Sequence, residues 1–260
     1  MQALALVLLA VIAAYPGVTP IPRSTDSGTM HAIANDREVA ERIHAAFAML
    51  GHNDWSNAAA ELEHVVTLHP KEPQGSTAFY DLGLAHAGLG QLDRAASDFQ
   101  EAIFRDHDFL AARANLVTIE LQRNDLGAAR KAADELLAIA PGSARGLYER
   151  GVVALHANDG KTALGDFQAL VSRDPQYAVA HYDLALAEQE LGDFPSSERE
   201  LRAALAISPS YARASIALGA VLLHEGKKDE ARAAFDDAIR ASSDPALRAL
   251  ATSLRQAIGG

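Results

Sequence analysis

A chain of 260 residues can bury a sizeable core in one or two domains, and its 49% hydrophobic content carries only 6% aromatics. That apolar content is mostly Ala and Leu, strong helix formers that favour close helix packing over strands. With 34 acidic against 23 basic residues the net charge is -11, which argues against a grip on phosphate backbones and hence against nucleic acid. The absence of cysteine excludes disulfides, thiol nucleophiles and Cys-ligated metals, and leaves the redox compartment open.

The chain opens with "MQALALVLLAVIAAYPGVTPIP", which has no charged side chain before Arg23. The apolar stretch Ala3 to Tyr15 is the length of a signal-peptide core and too short for a membrane span of about 20 residues. Ala13 and Ala14 offer small residues for cleavage, and Pro16-Gly17 break the helix just after. No Lys or Arg precedes the apolar run, which departs from the usual signal. Residues 1–14 are expected to be an export signal, which makes the mature protein periplasmic or secreted. The alternative is an uncleaved membrane anchor within 1–22. Residues 15–38, with Pro16, Pro20, Pro22, Ser24 and Ser27, read as a flexible linker.

From there the chain repeats itself. "YDLGLAHAGLG" at Tyr80 returns as "YDLALAEQELG" at Tyr182. Tyr148 falls on the same step of 34, as do Pro141, Pro175 and Pro209. The register divides the chain into 39–75, 76–109, 110–143, 144–177, 178–211 and 212–245, with "KEPQG" as loop chemistry at the first junction. Each block reads as two helices. The first carries apolar residues at positions 4, 7 and 11, and the second at 20, 24, 27 and 28. Between them position 15 is often Gly or Asn: Gly90, Asn124, Asn158, Gly192 and Gly226. Position 8 is small at Ala46, Gly83, Gly151, Ala185 and Gly219, and position 20 is Ala or Ser throughout, so the two helices can approach closely. After the last block, Asp244 as N-cap, Pro245 at the first helical position and Leu247, Leu250 and Leu254 predict a capping helix over 246–258.

On these residues the chain resembles the tetratricopeptide repeat family. Leu82-Gly83, Ala95, Phe99 and Ala102 match in the second block, and Leu218-Gly219, Ala231, Phe235 and Ala238 in the sixth. Departures are His107 and Ser243 in place of Pro, Arg150 at position 7, Val117 at position 8, and Glu120 and Glu188 at position 11. The third block is the weakest match. The resemblance implies an all-α, right-handed α-solenoid of six helix-turn-helix repeats, in which stacking buries what one hairpin cannot.

It also implies a ligand face. In that family positions 2, 5, 9, 12 and 13 of the first helices face ligands on the concave side. Here that face carries Tyr80 and Leu84, then Ala114, Asn115, Thr118 and Gln122. It continues through Arg145, Tyr148 and Val152 to Tyr182, Leu186 and Gln189. Ile43, Phe47, Ile216 and Ala220 extend it, and His156 and Arg213 edge it. Ala111 and Ala114, placed between Tyr80 and Tyr148, predict a recess for a partner's apolar side chain, with Asn115 and Gln122 bonding its backbone. Asp81 and Asp183 at position 6 do not suit the basic clamp that some members close on a C-terminal carboxylate.

Chemistry-bearing motifs are weak. Gly160-Lys161-Thr162 resembles the end of a phosphate loop, but Leu155 stands where the first Gly belongs and no strand precedes it. His224-Glu225 opens like a zinc-protease motif, but Lys228 replaces the second His, while His64 and His69 share no clean face. Asp236-Asp237 and Glu198/Glu200 read as solvated carboxylates. The expectation is a non-enzymatic scaffold without cofactor or metal that holds a peptide or protein segment. The alternatives are a substrate-selecting or regulatory part of an enzyme, and an anchored organiser of an envelope complex.

Overall fold

The computed structural model describes residues 34–68 and 70–258. The expected signal and nearly all of the expected linker lie outside the described residues. Thirteen helices are present among those described, and no strands. They run α1 (Ala34–Gly51), α2 (Trp55–Thr67), α3 (Gln74–Gly88), α4 (Leu92–Arg105), α5 (Leu110–Gln122), α6 (Leu126–Ile139) and α7 (Ala144–His156). There follow α8 (Gly160–Arg173), α9 (Ala178–Glu190), α10 (Phe194–Ile207), α11 (Ala212–His224), α12 (Lys228–Ala241) and α13 (Pro245–Ala257). The result is an all-α array of six helical hairpins and a terminal helix. Helix α1 starts at Ala34, inside the stretch expected as linker, and Gln74-Gly75 of the expected loop are helical.

The described residues fall into two compact units that divide within α7, one ending at Glu149 and the other starting at Arg150. In the first unit each helix from α1 to α6 packs on the next, and α1 also packs on α3. In the second unit α8 to α13 do the same, and α13 covers α12 and touches α11.

The hairpin turns are built alike. The non-glycine residues with positive φ are Asn53, Asn124 and Asn158, and the positive-φ glycines are Gly90, Gly192 and Gly226, all at position 15 of the register. Asn and Gly tolerate the left-handed region, which a C-terminal helix cap requires. The next N–H then reaches back five residues: Asp125 to the Glu120 carbonyl at 2.9 Å and Asp193 to that of Glu188 at 2.8 Å. That closing bond satisfies a carbonyl the helix end leaves open. The same residue caps the following helix. Asp125, Asp159 and Asp193 accept from the N–H three residues on.

Within each hairpin the core is set by positions 8 and 24. A Cβ on Gly83 would sit 2.7 Å from the Phe99 ring, one on Gly151 2.7 Å from Phe167, and one on Gly219 2.5 Å from Phe235. The three phenylalanines are fully buried. Where position 8 is Ala46 or Ala185, position 24 is the fully buried Leu62 or Leu201. Where position 8 is Val117, position 24 shrinks to Ala133. Gly with Phe, Ala with Leu and Val with Ala fill about the same volume, as dense packing demands. Val117 is therefore a compensated exchange, and the third repeat keeps its packing.

The terminal helix is capped as its sequence predicts, with Asp244 Oδ1 accepting from the Ala246 N–H at 2.8 Å. Its fully buried residue is Ala251, while Leu247, Leu250 and Leu254 are half-buried.

Candidate functional site

In the first unit the candidate face is carried by α3, α5 and the start of α7. Tyr80 and Leu84 are buried, at 4% and 6% exposure, and Ala114 and Asn115 are buried deeper still. The cause lies in the repeat itself. Phe109, at position 34, lays its ring 4.9 Å from that of Tyr80, and the Phe99 ring lies 5.8 Å away. Asn115 Nδ2 then donates to the Tyr80 hydroxyl at 3.1 Å. The recess expected beside Ala114 is not open here, because Ala114 has no exposed surface, and the amide group foreseen as bonding a partner is turned onto Tyr80.

The residues of this unit that reach solvent are fewer. Gln122 is exposed, Thr118, Tyr148 and Arg145 are half-buried, and Phe47 on α1 is 51% exposed. Arg145 Nε lies 2.6 Å from Glu149 Oε1. Burial pushes the Glu149 carboxyl up to about 7, against the pull of Arg145.

In the second unit Val152, Tyr182, Leu186 and Gln189 are all buried. Tyr211, at position 34, covers Tyr182 with ring centroids 5.1 Å apart, as Phe109 covers Tyr80. Burial first, and then the Asp183 charge, push the Tyr182 phenol well above its ordinary range. Gln189 Nε2 donates to Ser197 Oγ at 3.0 Å. An aromatic at position 34 accompanies each position-5 tyrosine, Phe109 with Tyr80, Tyr177 with Tyr148 and Tyr211 with Tyr182, yet Tyr148 stays half-buried, so the sequence signal alone does not separate them.

The chemistry-like motifs resolve into structure. Asp159 caps α8 by accepting from the Thr162 N–H at 3.3 Å and its hydroxyl at 2.9 Å, so Gly160-Lys161-Thr162 is a helix start. His224 stacks on Phe194 at 3.6 Å. Asp236 pairs with Arg255, Asp237 with Arg240, and Glu198 with Arg202 and Lys227. The Lys227 hydrogen bond, with help from Arg202, holds the Glu198 carboxyl down to about 2. Among the described residues no group of three His, Cys, Asp or Glu side chains could hold a metal ion.

A second pattern runs through the hairpins, and sequence reasoning missed it. Where position 23 is acidic, the first helix of the same hairpin supplies a base. Arg42 holds Glu61 at 2.7 Å, His86 holds Asp98 at 2.5 Å, Arg150 grips Asp166 with two bonds of 2.7 and 2.9 Å, and His181 meets Glu200 at 2.6 Å. Position 11 stands beside position 23, as His86 and Asp98 show. Glu120, at position 11, is buried and takes Arg123 Nη1 at 2.6 Å. Glu188, at position 11 of the fifth hairpin, is 7% exposed and its Oε2 has no partner.

Comparison with known proteins follows the same lines. The sequence model of the Tetratricopeptide repeat family matches residues 48–111, 114–178 and 182–245. The chain is 25% identical over 223 residues to cellulose synthase operon protein C of Xanthomonas axonopodis pv. citri (strain 306), covering 86% of this chain and 13% of that protein. It is 28% identical over 94 residues to FK506-binding protein 59 of Drosophila melanogaster, covering 36% of this chain and 21% of that protein. The chain thus spans only a small part of both relatives. Among solved structures, the Cut9-Hcn1 hetero-tetramer of the APC/C superposes with a TM-score of 0.68 at 21% identity, over 85% of this chain and 42% of that one. A tetratricopeptide repeat protein from Parabacteroides merdae ATCC 43184 superposes at 0.62 and 16% identity, over 86% of this chain and 100% of that one. YrrB, a repeat protein with an unusual peptide-binding site, superposes at 0.54 and 17% identity, over 68% and 91%. Such repeats generally mediate protein–protein interaction, and the fold is typically a non-catalytic scaffold. Matched over most of its length by the family's sequence model and built as six of its hairpins, the chain belongs to the tetratricopeptide repeat family.

Proposed function

We infer that this protein is a non-enzymatic interaction module that holds a peptide segment of a partner protein against the first-helix face of its first unit. The observation that carries this reading is Phe47. It sits on α1 at position 9 of the first repeat, a position that faces ligands in the family, and it leaves 51% of its surface in water while the core phenylalanines are fully buried. Phe104 on α4 is more exposed still, at 72%, so exposure alone does not select Phe47; its place at a ligand-facing register position, with Thr118, Gln122 and Tyr148 on the neighbouring first helices, supports the reading. Thr118, Gln122 and Tyr148 supply polar and aromatic contacts on the same set of helices, and buried Tyr80, Leu84, Ala114 and Asn115 stiffen the ground beneath them.

A photo-reactive phenylalanine analogue placed at Gln122, and separately at the exposed Ala138 on α6, tests the reading in the native cell. Adducts are expected from position 122 and not from 138, and Phe47→Glu should abolish them. With the cross-linked partner in hand, Tyr148→Ala should weaken binding by about 2 kcal/mol. Equal adducts from both positions would overturn the assignment. Residues 1–14 are proposed to direct export, with the mature chain starting near Tyr15. Amino-terminal sequencing of the periplasmic or secreted fraction tests that, and an intact Met1 in the cytosol would refute it.

A further inference from the structure

The second unit carries a cleft of about 470 Å³ between α8, α9 and α10. Its walls divide by chemistry. Leu164, Val171, Leu184 and Leu191 make an apolar side, and Glu188 and Glu200 stand together as carboxylates. The other charged groups are engaged. Glu200 is held by His181 at 2.6 Å, and Asp193 by the N–H and hydroxyl of Ser196 at 3.2 and 2.6 Å. Arg199 is turned onto its own helix, to the Pro195 carbonyl at 3.3 Å and Ser196 Oγ at 2.9 Å. Glu188 alone lines the cleft nine-tenths buried with an oxygen that bonds nothing. A buried carboxylate oxygen without a partner is costly unless a cation or donor completes it.

The chain contains the solution to the same problem. Glu120, at the same register position, is completed by a guanidinium three residues on, Arg123 at 2.6 Å. Three residues after Glu188 stands Leu191, which has no charge and is 44% exposed. We propose that the cleft between α8, α9 and α10 is a docking pocket for an arginine side chain of a protein partner, whose guanidinium completes Glu188 as Arg123 completes Glu120 and whose aliphatic stem lies on the leucine wall. Arginine fits better than lysine, because its planar fork can serve Glu188 and Glu200 together and sheds its water more readily.

The charged groups facing Glu188 are known from each wall. From α10 and its cap come Glu200, Asp193 and Arg199, from α9 Glu188 itself, and α8 contributes only Leu164, Gln168, Val171 and Ser172. Burial first, then the charges of Glu200 and Asp193, push Glu188 up to about 7, with Arg199 opposing. Only the ionised form attracts a guanidinium. With a midpoint near 7 the ionised fraction, and so the affinity, rises about tenfold from pH 6 to pH 8.

The test uses the full chain and a capped pentapeptide with one central arginine among alanines, read by amide shifts of Leu191 and Ser196. Saturable shifts, an affinity gain of about tenfold between pH 6 and pH 8, and a loss of tenfold or more in Glu188→Gln are expected. The citrulline peptide, neutral and of the same shape, should leave those amides unmoved. Leu191→Arg, which installs the missing internal cation, should abolish binding and keep the fold, as its melt will report. Equal binding of the citrulline peptide, or undiminished binding to Glu188→Gln, would overturn the proposal. So would a Glu188 carboxyl that titrates below about pH 5 in the free protein, since Arg199 would then have closed on it. Tighter binding of free arginine or spermidine than of the peptide would overturn the assignment to a protein partner.

Discussion

Glu120 in the first unit and Glu188 in the second occupy the same place in their hairpins, and the chain treats them differently. Both replace the apolar residue their family prefers at position 11, and both are buried. Glu120 is neutralised from within by Arg123, which also reaches Asp93 in the preceding hairpin at 2.9 Å. Glu188 is followed at that spacing by Leu191 and faces a second carboxylate across its cleft. One site is closed and holds hairpins together. The other is left incomplete, at a cost that the free protein meets by holding a proton on Glu188 up to about pH 7. A buried charge therefore takes its meaning from the residue three positions on.

Breaking the closed site should destabilise the fold. Arg123→Leu should cost about 2 kcal/mol or more at neutral pH, read from the urea midpoint, because it leaves Glu120 buried without a cation. The figure is set toward the low end because Arg123 is itself 32% exposed. The double variant Glu120→Leu with Arg123→Leu should recover most of the loss. A single variant as stable as the parent would mean that the two sites do not differ in kind.

Completing the open site is the converse. Leu191→Arg should stabilise the free protein by about 1 kcal/mol at pH 8, the size of a hydrogen bond to a charged group less the cost of ordering an exposed arginine. No gain in melting temperature would mean that Glu188 already has a partner in solution.

The third effect is a pH dependence. The folded carboxyl of Glu188 titrates at about 7, above its ordinary 4.5. The folded state therefore keeps a proton that the unfolded chain releases between those values, and stability falls as pH rises through that window. Glu188→Gln removes this slope. The parent and the variant should melt alike near pH 5, and the variant should melt higher by pH 8, with the gap levelling off above about 7. Parallel melting curves across that range would refute the titration.

Much of the fold was legible because its determinants are local. Asn124 and Gly192 announce a left-handed turn, and Asp125 and Asp193 announce the next helix, whatever surrounds them. The capping helix was legible in Asp244-Pro245. Val117 looked like a fault because position 8 was read without position 24, and Ala133 explains it. The candidate face was less legible, since position 5 depends on what covers it. Tyr80 and Tyr182 read as exposed anchors until Phe109 and Tyr211 are seen lying on them. Glu188 was visible as a departure from the family pattern. Its lack of a partner was not, because that requires knowing that positions 11 and 23 are neighbours across the hairpin.

The paired volumes at positions 8 and 24 bear on how such a gene can be recombined. A crossover between repeats, at the junction after position 34, moves Gly83 together with Phe99, or Val117 together with Ala133, and leaves every interior filled. A crossover inside the Gly90 or Asn124 turn separates them. Joining α5 to α4 would press Val117 into the ring of Phe99, and joining α3 to α6 would leave Gly83 facing Ala133 across a void, a loss of the order of a Phe→Ala truncation, about 3–5 kcal/mol. The unit of inheritance in this chain is the whole hairpin. A library of chimaeras cut at both kinds of boundary should return folded members almost entirely from the first.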